Sequence, residues 1–93
     1  MSYLQITDPE ISQLIERERQ RLETTLNLIA AENHMPPAIL ETLGSVLNTK
    51  TIEGYPGKRF HAGCVHADAV EALAIARGRS LFGAEHVNVQ PHS

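Results

Sequence analysis

The sequence predicts a mostly α-helical chain: three helices followed by a terminal strand. Three segments carry apolar residues at helical spacing between recognisable start and stop signals. Residues 87–93 instead alternate as a strand entering a loop does. A strand needs a hydrogen-bonding neighbour, and none is evident elsewhere in the sequence. We therefore expect an arm and the edge of a larger body, with the rest of the fold lying elsewhere.

The first predicted helix begins at Asp8, Pro9 and Glu10, which supply an N-cap carboxylate, a proline at the first helical position and an acid in the first turn. Charged residues fill the faces away from its apolar stripe and predict a solvated surface. The stripe is formed by Ile11, Leu14, Ile15 and Leu22.

The second helix is predicted to begin at Pro36 and Pro37, to contain Gly44 despite its low helix propensity, and to end at residues 48–50. Its apolar stripe is formed by Ile39, Leu40, Leu43 and Leu47.

The third helix has the clearest signals. Asp68 lies near its start, and Gly83 after Phe82 is a C-terminal stop. Arg77 and Arg79 suit the negative end of the helix dipole. Its apolar positions are Val70, Leu73, Ala74 and Leu81.

Composition narrows the possible partners and the compartment. The chain has 93 residues, enough for one small domain, and a formal net charge of −3. This charge argues against nucleic acid or an anionic membrane as the main partner. No apolar run approaches the ~20 residues that span a bilayer, and the N-terminus does not resemble a signal peptide. A single cysteine cannot form an internal disulfide, so we expect a reducing cytoplasm.

The run from Glu53 to His61 is the most informative segment, with an acid, two bases, two rings and a His among glycines and a proline. It predicts a rigid loop, neither helix nor strand, in which binding or catalysis can be concentrated. A surface turn with solvated charges is the alternative. Glu53 is the best general acid/base candidate, because flanking rings and an imidazole could exclude water from it. It could also pair with Lys58 or Arg59.

Other candidate sites, in this loop and at the end of the sequence, have weaker support. A zinc site drawn from His61, Cys64, His66 and Asp68 lacks a second paired cluster, so ordinary structural roles are favoured. Cys64 as a nucleophile would need a base held close to it. Ser93, directly after a strand-like segment, suggests a phosphate contact.

Taken together, the motifs resemble the N-terminal part of a serine hydroxymethyltransferase. They occur in the family's order over nearly the whole chain, which makes the resemblance specific. The matching segments are residues 19–20, 28–33, 53–59, 63–64, 68, 71, 73–75, 81–84 and 88–93.

The resemblance implies the N-terminal arm and the beginning of the major domain of a fold type I, α/β pyridoxal-phosphate enzyme over residues 1–93, with an active-site loop at 53–63. It also implies tetrahydrofolate as a possible second cofactor, an amino-acid substrate, and a homo-oligomer or a complementary C-terminal chain. Glu53 falls on the family's active-site glutamate, which handles the proton of the substrate hydroxyl. Ser93 falls at the start of the loop that holds the cofactor phosphate. Tyr55 and Phe60 fall near substrate or folate.

Four positions depart from the family pattern. Ala31 replaces a serine that would contact the substrate carboxylate, and Phe60 replaces a tyrosine near the folate. Thr51 and His61 replace tyrosines that in the family reach the neighbouring subunit's cofactor site, and His61 could still transfer a proton. The changes favour altered substrate or acceptor use, including folate-independent aldolase or transaldolase chemistry.

The family's cofactor-binding lysine has no counterpart here, since neither Lys50 nor Lys58 lies in the matching motif. We therefore expect the isolated chain to be inactive and to act as one piece of an enzyme. The alternatives are a remnant or interaction module that docks onto a full-length relative, and a truncated sequence.

Overall fold

A computed structural model describes residues 1–91, which form four α-helices, one 3₁₀ turn and one two-stranded antiparallel hairpin. The chain divides into two compact units, Met1–Met35 and the part that begins at Pro36. The mostly helical character predicted from the sequence is confirmed. The elements are α1 Tyr3–Thr7, α2 Pro9–Thr24, α3 Pro37–Leu43, the 3₁₀ turn Val46–Thr49, β1 Gly54–Tyr55, β2 Lys58–Arg59 and α4 Val65–Phe82.

The first unit contains one helix that was predicted and one that was not. At the start of α2, Asp8 accepts a hydrogen bond from the backbone N–H of Ile11 at 3.0 Å, which confirms the predicted cap. Helix α1 begins with a reciprocal capping box between Ser2 and Gln5. The Ser-x-x-Gln spacing that identifies such a box was present in the sequence.

The polar face of α2 carries ion pairs between neighbouring turns. Arg19 pairs with Glu16 and Glu23, and Arg21 pairs with Glu18. The hydrogen bond from Arg19 holds the pKa of Glu16 below its ordinary value. All these side chains are about half exposed, as the prediction of a solvated charged face requires.

Helix α3 is shorter than predicted. It begins at Pro37 as expected but ends at Leu43, and Gly44 is its C-cap rather than an interior residue. A new 3₁₀ turn, capped by Ser45, then carries Leu47. The predicted continuous helix is therefore wrong after Leu43, because the glycine and the Ser45 cap favour a break.

Helix α4 confirms the third prediction, including its end. Gly83 adopts a left-handed backbone with φ +61°, which terminates the helix. The segment that follows returns to the helix, since a Cβ added at Gly78 would lie 3.0 Å from Cγ1 of Val87. Residues 87–91, predicted as a strand whose partner lies elsewhere in the fold, form no strand in the described chain and pair with no other strand there.

Burial is slight in the described part of the chain. Counted as whole residues within 1–91, only Cys64, Ala67 and Glu71 are buried, and all three lie at or near the start of α4, although the side chain of Arg59 is also just 4% exposed. The apolar stripes remain open, with Leu14 55% exposed and Leu43 51% exposed. None of the described helices has both the length and the apolar character needed to cross a membrane.

Candidate active site

The loop from Glu53 to His61 is built around a hairpin, so the prediction that it contains no strand is wrong. Gly54 pairs with Arg59, and Tyr55 pairs with Lys58. Gly54 has φ +111°, and a Cβ there would overlap the carbonyl oxygen of Lys58. Gly57 in the turn has φ +74°. The glycines adopt the open backbone angles that the sequence predicts for a rigid segment. Because Gly54 has no Cβ, the backbone of Lys58 can approach it closely enough for the two strands to pair.

A buried arginine ties the hairpin to α4. The side chain of Arg59 is 4% exposed and donates to Asp68 Oδ1 and Glu71 Oε2, each at 2.7 Å. It also donates to the carbonyl oxygens of Ile52 and Gly54, each at 2.8 Å. One cation thus satisfies two carboxylates and two backbone acceptors in one place.

The charges in this cluster stabilise one another. The hydrogen bond from Arg59, followed by one from the backbone N–H of Gly57, holds the pKa of Asp68 below its ordinary value. Hydrogen bonds to Glu71 and then Asp68 raise the pKa of Arg59 above its ordinary value. The arginine and Asp68 therefore stay ionised at neutral pH, and the hairpin is held by charge-assisted hydrogen bonds.

Glu53 lies in the sequence between the two residues whose carbonyls Arg59 holds, and its carboxylate forms no ion pair with Arg59 in the described structure. Its Oε2 is 3.8 Å from Nε2 of His61, and the two side chains are 68% and 51% exposed. The alternative that Glu53 pairs with Arg59 is wrong, because Arg59 is engaged by α4. The structure does bring Glu53 and His61 together, as an open carboxylate–imidazole pair.

The other candidates belong to the loop or to the residues on either side of it. Tyr55 is 55% exposed and Phe60 is 77% exposed, so both rings are available for contact. The backbone oxygen of Thr51 lies 3.7 Å from the thiol of Cys64, and the thiol also donates to the carbonyl of His61 at 3.3 Å. Cys64 is 6% exposed and has a structural role at this position, between the segments that carry Thr51 and His61.

A metal site has no support in the described residues. Across residues 1–91, no group of three or more His, Cys, Asp or Glu side chains is placed to hold a metal ion. Asp68 is occupied by Arg59 and Gly57, and Cys64 is directed at backbone carbonyls.

Two predicted site residues are not part of the described loop. Ala31 is exposed and belongs to the first unit, in a turn closed by a 3.1 Å hydrogen bond from Glu32 N–H to the carbonyl of Ile29. Ser93, the predicted phosphate contact, falls outside the described residues. The side-chain nitrogen of Gln90 is buried and has no hydrogen-bond partner in the described chain.

Sequence reasoning missed the supporting roles of Asp68 and Glu71. The sequence indicates Asp68 as a helix-start residue and Glu71 as a motif residue, and it offers Arg59 only as a partner for Glu53. The sequence does contain a signal for these roles. Two acids three residues apart share one face of a helix, and a basic residue in a Gly/Pro loop needs hydrogen-bond acceptors when it is buried.

Together, the fold and the site define a class of protein. In it a helix fixes a rigid hairpin, and the hairpin segment presents an open carboxylate–imidazole pair and exposed rings. Residues 4–93 match the family model described as serine hydroxymethyltransferase. The chain belongs to the serine hydroxymethyltransferase family.

Individual relatives agree with the family match. The chain is 56% identical over 93 residues to a serine hydroxymethyltransferase of Dehalococcoides mccartyi and 54% identical over 92 residues to one of Haloquadratum walsbyi. These alignments cover 100% and 99% of the chain. In each case they cover 22% of the relative, so the chain spans about a fifth of the length of the curated proteins it matches.

Proposed function

We propose that the chain is the N-terminal part of a pyridoxal-phosphate-dependent enzyme that interconverts glycine and β-hydroxy amino acids. The observation that carries the proposal is the open Glu53–His61 pair on a hairpin fixed by Arg59, in a chain that belongs to this family. The 93 residues form the arm and the beginning of the major domain, with residues 53–63 as the active-site loop. The single buried cysteine suits a reducing cytoplasm.

The residues present fit part of a cofactor site. Among residues 1–91, the buried amide nitrogen of Gln90 is a donor without an acceptor, and it lies three positions before the predicted phosphate contact Ser93 in the sequence. An acceptor from the rest of the protein or from the cofactor would satisfy it. Ser93 would hold the phosphate, and Thr51 would face the cofactor of a neighbouring subunit. Pyridoxal phosphate, when bound, supplies the sink for the electron pair of the Cα–Cβ bond.

Within that site Glu53 acts as the general base. Its carboxylate takes the proton from the β-hydroxyl of the substrate as the Cα–Cβ bond breaks and an aldehyde leaves, and it returns the proton in the reverse direction. His61, 3.8 Å from Glu53, supports a role in which one bridging water passes that proton between the two groups, or in which the imidazole donates to the hydroxyl oxygen. Tyr55 and Phe60 offer exposed ring surface to substrate or folate.

The positions that differ from the family pattern bear on which acceptor is used. Ala31 and Phe60 each lack a hydroxyl that the resemblance leads us to expect, so binding of the substrate carboxylate and of tetrahydrofolate would be weakened. Thr51 and His61 replace two phenols. We infer that aldehyde transfer without folate, as in aldolase or transaldolase chemistry, competes with hydroxymethyl transfer to tetrahydrofolate.

A chimera provides the direct test. Residues 1–93 replace the matching segment of the Dehalococcoides mccartyi relative, which supplies the other four-fifths of the enzyme. We expect this completed chimera to bind pyridoxal phosphate, to assemble as an oligomer, and to cleave β-hydroxy amino acids with and without tetrahydrofolate. Glu53→Gln should lower kcat by at least about a hundredfold, whereas Glu10→Gln, an exposed control on α2, should not. Full activity in the Glu53→Gln chimera would overturn the proposal.

A second candidate is a non-catalytic fragment that docks onto a full-length homologue or another partner chain. The exposed apolar stripes of α2 and α3 favour it, with Ile15 57% and Leu40 57% exposed. Co-purification of the separate chain with the intact relative, without any gain of activity and without an effect of Glu53→Gln, would support this candidate instead.

A further inference from the structure

The buried side chain of Arg59 has an arrangement that the proposed chemistry does not explain by itself. It is 4% exposed and makes four hydrogen bonds of 2.7–2.8 Å, two to carboxylates and two to backbone carbonyls. Its Nη1 donates to both carbonyls, while Nε and Nη2 are used for Asp68 and Glu71. A lysine could not reproduce this fork, because its ammonium is a single point charge.

The two carbonyls belong to Ile52 and Gly54, the residues on either side of Glu53. The intervening carbonyl, that of Glu53 itself, accepts the backbone N–H of Phe60 at 3.1 Å. Three consecutive carbonyl oxygens are therefore held by Arg59 and Phe60, two of them through the side chain of Arg59. The backbone that carries the Glu53 carboxylate is fixed even though the carboxylate itself is 68% exposed.

We propose that Arg59 is a positioning residue for Glu53, and that Asp68 and Glu71 of α4 set its orientation. Asp68 also accepts the N–H of Gly57 at 3.0 Å, so α4 holds both the arginine and the turn of the hairpin. Hydrogen bonds thus connect helix α4, the hairpin and the backbone of Glu53 in one continuous network. This inference rests on the proposed function, because it assigns a role through the general base Glu53.

The consequence is a specific effect on the chemical step. Loss of the fork frees the carbonyls of Ile52 and Gly54, so Glu53 samples positions displaced from the reactive hydroxyl. A displacement of about 1 Å costs up to about a hundredfold in rate. The groups that bind the amino acid lie mainly outside these 93 residues under the proposed function, so KM for the amino acid should change little.

The experiment uses the completed chimera, loaded with pyridoxal phosphate, and the variant Arg59→Lys. We expect kcat per cofactor-loaded site to fall about tenfold to a hundredfold, with KM within about twofold of the unaltered value. Amide hydrogen exchange of Phe60, which reports the bond to the Glu53 carbonyl, should accelerate about tenfold. Arg77→Lys is the matched control, since Arg77 is exposed on α4 and has no contact with the hairpin cluster.

A milder variant keeps the test decisive if Arg59→Lys does not fold. Glu71→Gln retains an acceptor oxygen but removes one charge, and it should change kcat and Phe60 exchange in the same direction by a smaller factor. Unchanged kcat per loaded site together with unchanged Phe60 exchange, in whichever of the two variants folds, overturns the positioning role. Lower yield or thermal stability with normal kcat also overturns it, because that result describes a structural residue only.

The outcomes separate this inference from the proposed function. If Glu53→Gln loses activity while Arg59→Lys keeps it, the positioning role fails and the proposed function stands. If Glu53→Gln is fully active, the proposed function fails. The Phe60 exchange rate then decides alone whether Arg59 fixes the loop.

Discussion

The imidazole of His61 lies 3.8 Å from the carboxylate of Glu53, and both groups are open to solvent. The resemblance to the family predicts a phenol where His61 stands. A neutral imidazole donates a hydrogen bond from one ring nitrogen and accepts at the other, whereas a phenol does both at a single oxygen. At this site the substitution therefore changes the hydrogen-bonding group that lies beside Glu53.

The first prediction concerns His61→Tyr in the completed chimera. This variant restores the phenol that the resemblance leads us to expect beside Glu53. His61→Tyr should therefore raise the ratio of folate-dependent to folate-independent turnover. Initial rates measured with both acceptors check this.

His86→Tyr is the matched control, since His86 is exposed after the end of α4 and outside the hairpin. It should leave that ratio unchanged. If His61→Tyr and the unaltered chimera show the same ratio, His61 has no part in the choice of acceptor.

The second prediction compares the two glycines of the hairpin. Both have positive φ, so an alanine at either position should cost about 1–2 kcal/mol in backbone strain. At Gly57 nothing lies within 4 Å of an added Cβ, whereas at Gly54 the Cβ would overlap the carbonyl oxygen of Lys58. Gly54→Ala should therefore lower the melting temperature more than Gly57→Ala, and also lower kcat through Glu53. Equal losses of stability and activity in the two variants would contradict the close approach.

The helix boundaries that could be predicted from the sequence are those set by residues within one helical turn of the boundary. Asp8 as a cap and Gly83 as a stop act within one helical turn, so their effects were predictable. Gly44 was misjudged because helix termination there also depends on the cap that Ser45 offers to the next turn.

The proximity of the candidate pair was predictable from the sequence, whereas the contacts that support it were not. Glu53 and His61 share one short loop, so their proximity followed from the sequence. The pairing of Arg59 with Glu71 crosses 12 positions and requires knowledge of which face of α4 meets the hairpin. Contacts at that separation depend on tertiary packing, which local patterns do not specify.

The third prediction is a loss of stability in acid that depends on Asp68. Its pKa is lowered from 3.8 mainly by the hydrogen bond from Arg59, so folding favours the ionised form. The stabilisation is fully present above 3.8 and is lost as the pH falls through the lower pKa of the folded protein. The melting temperature of the chimera should therefore exceed that of Asp68→Asn by a constant amount above about pH 5.

Below that range the two melting curves should converge, because the protonated aspartic acid no longer pairs with Arg59. Glu85→Gln, an exposed control, should show no such convergence. A difference between the chimera and Asp68→Asn that stays constant into strong acid would show that the charge of Asp68 does not hold the hairpin.

The last prediction concerns the chain by itself. In the described part only Cys64, Ala67 and Glu71 are buried as whole residues, while apolar side chains such as Leu14 and Leu43 remain about half exposed. Ordering costs about 1–2 kcal/mol per residue in backbone entropy, and so little burial cannot offset it. Thermal melting followed by circular dichroism should give a broad transition that sharpens with chain concentration or with an added C-terminal part, since either would cover the apolar stripes. A sharp transition independent of concentration would show that the 93 residues form a sufficient core of their own.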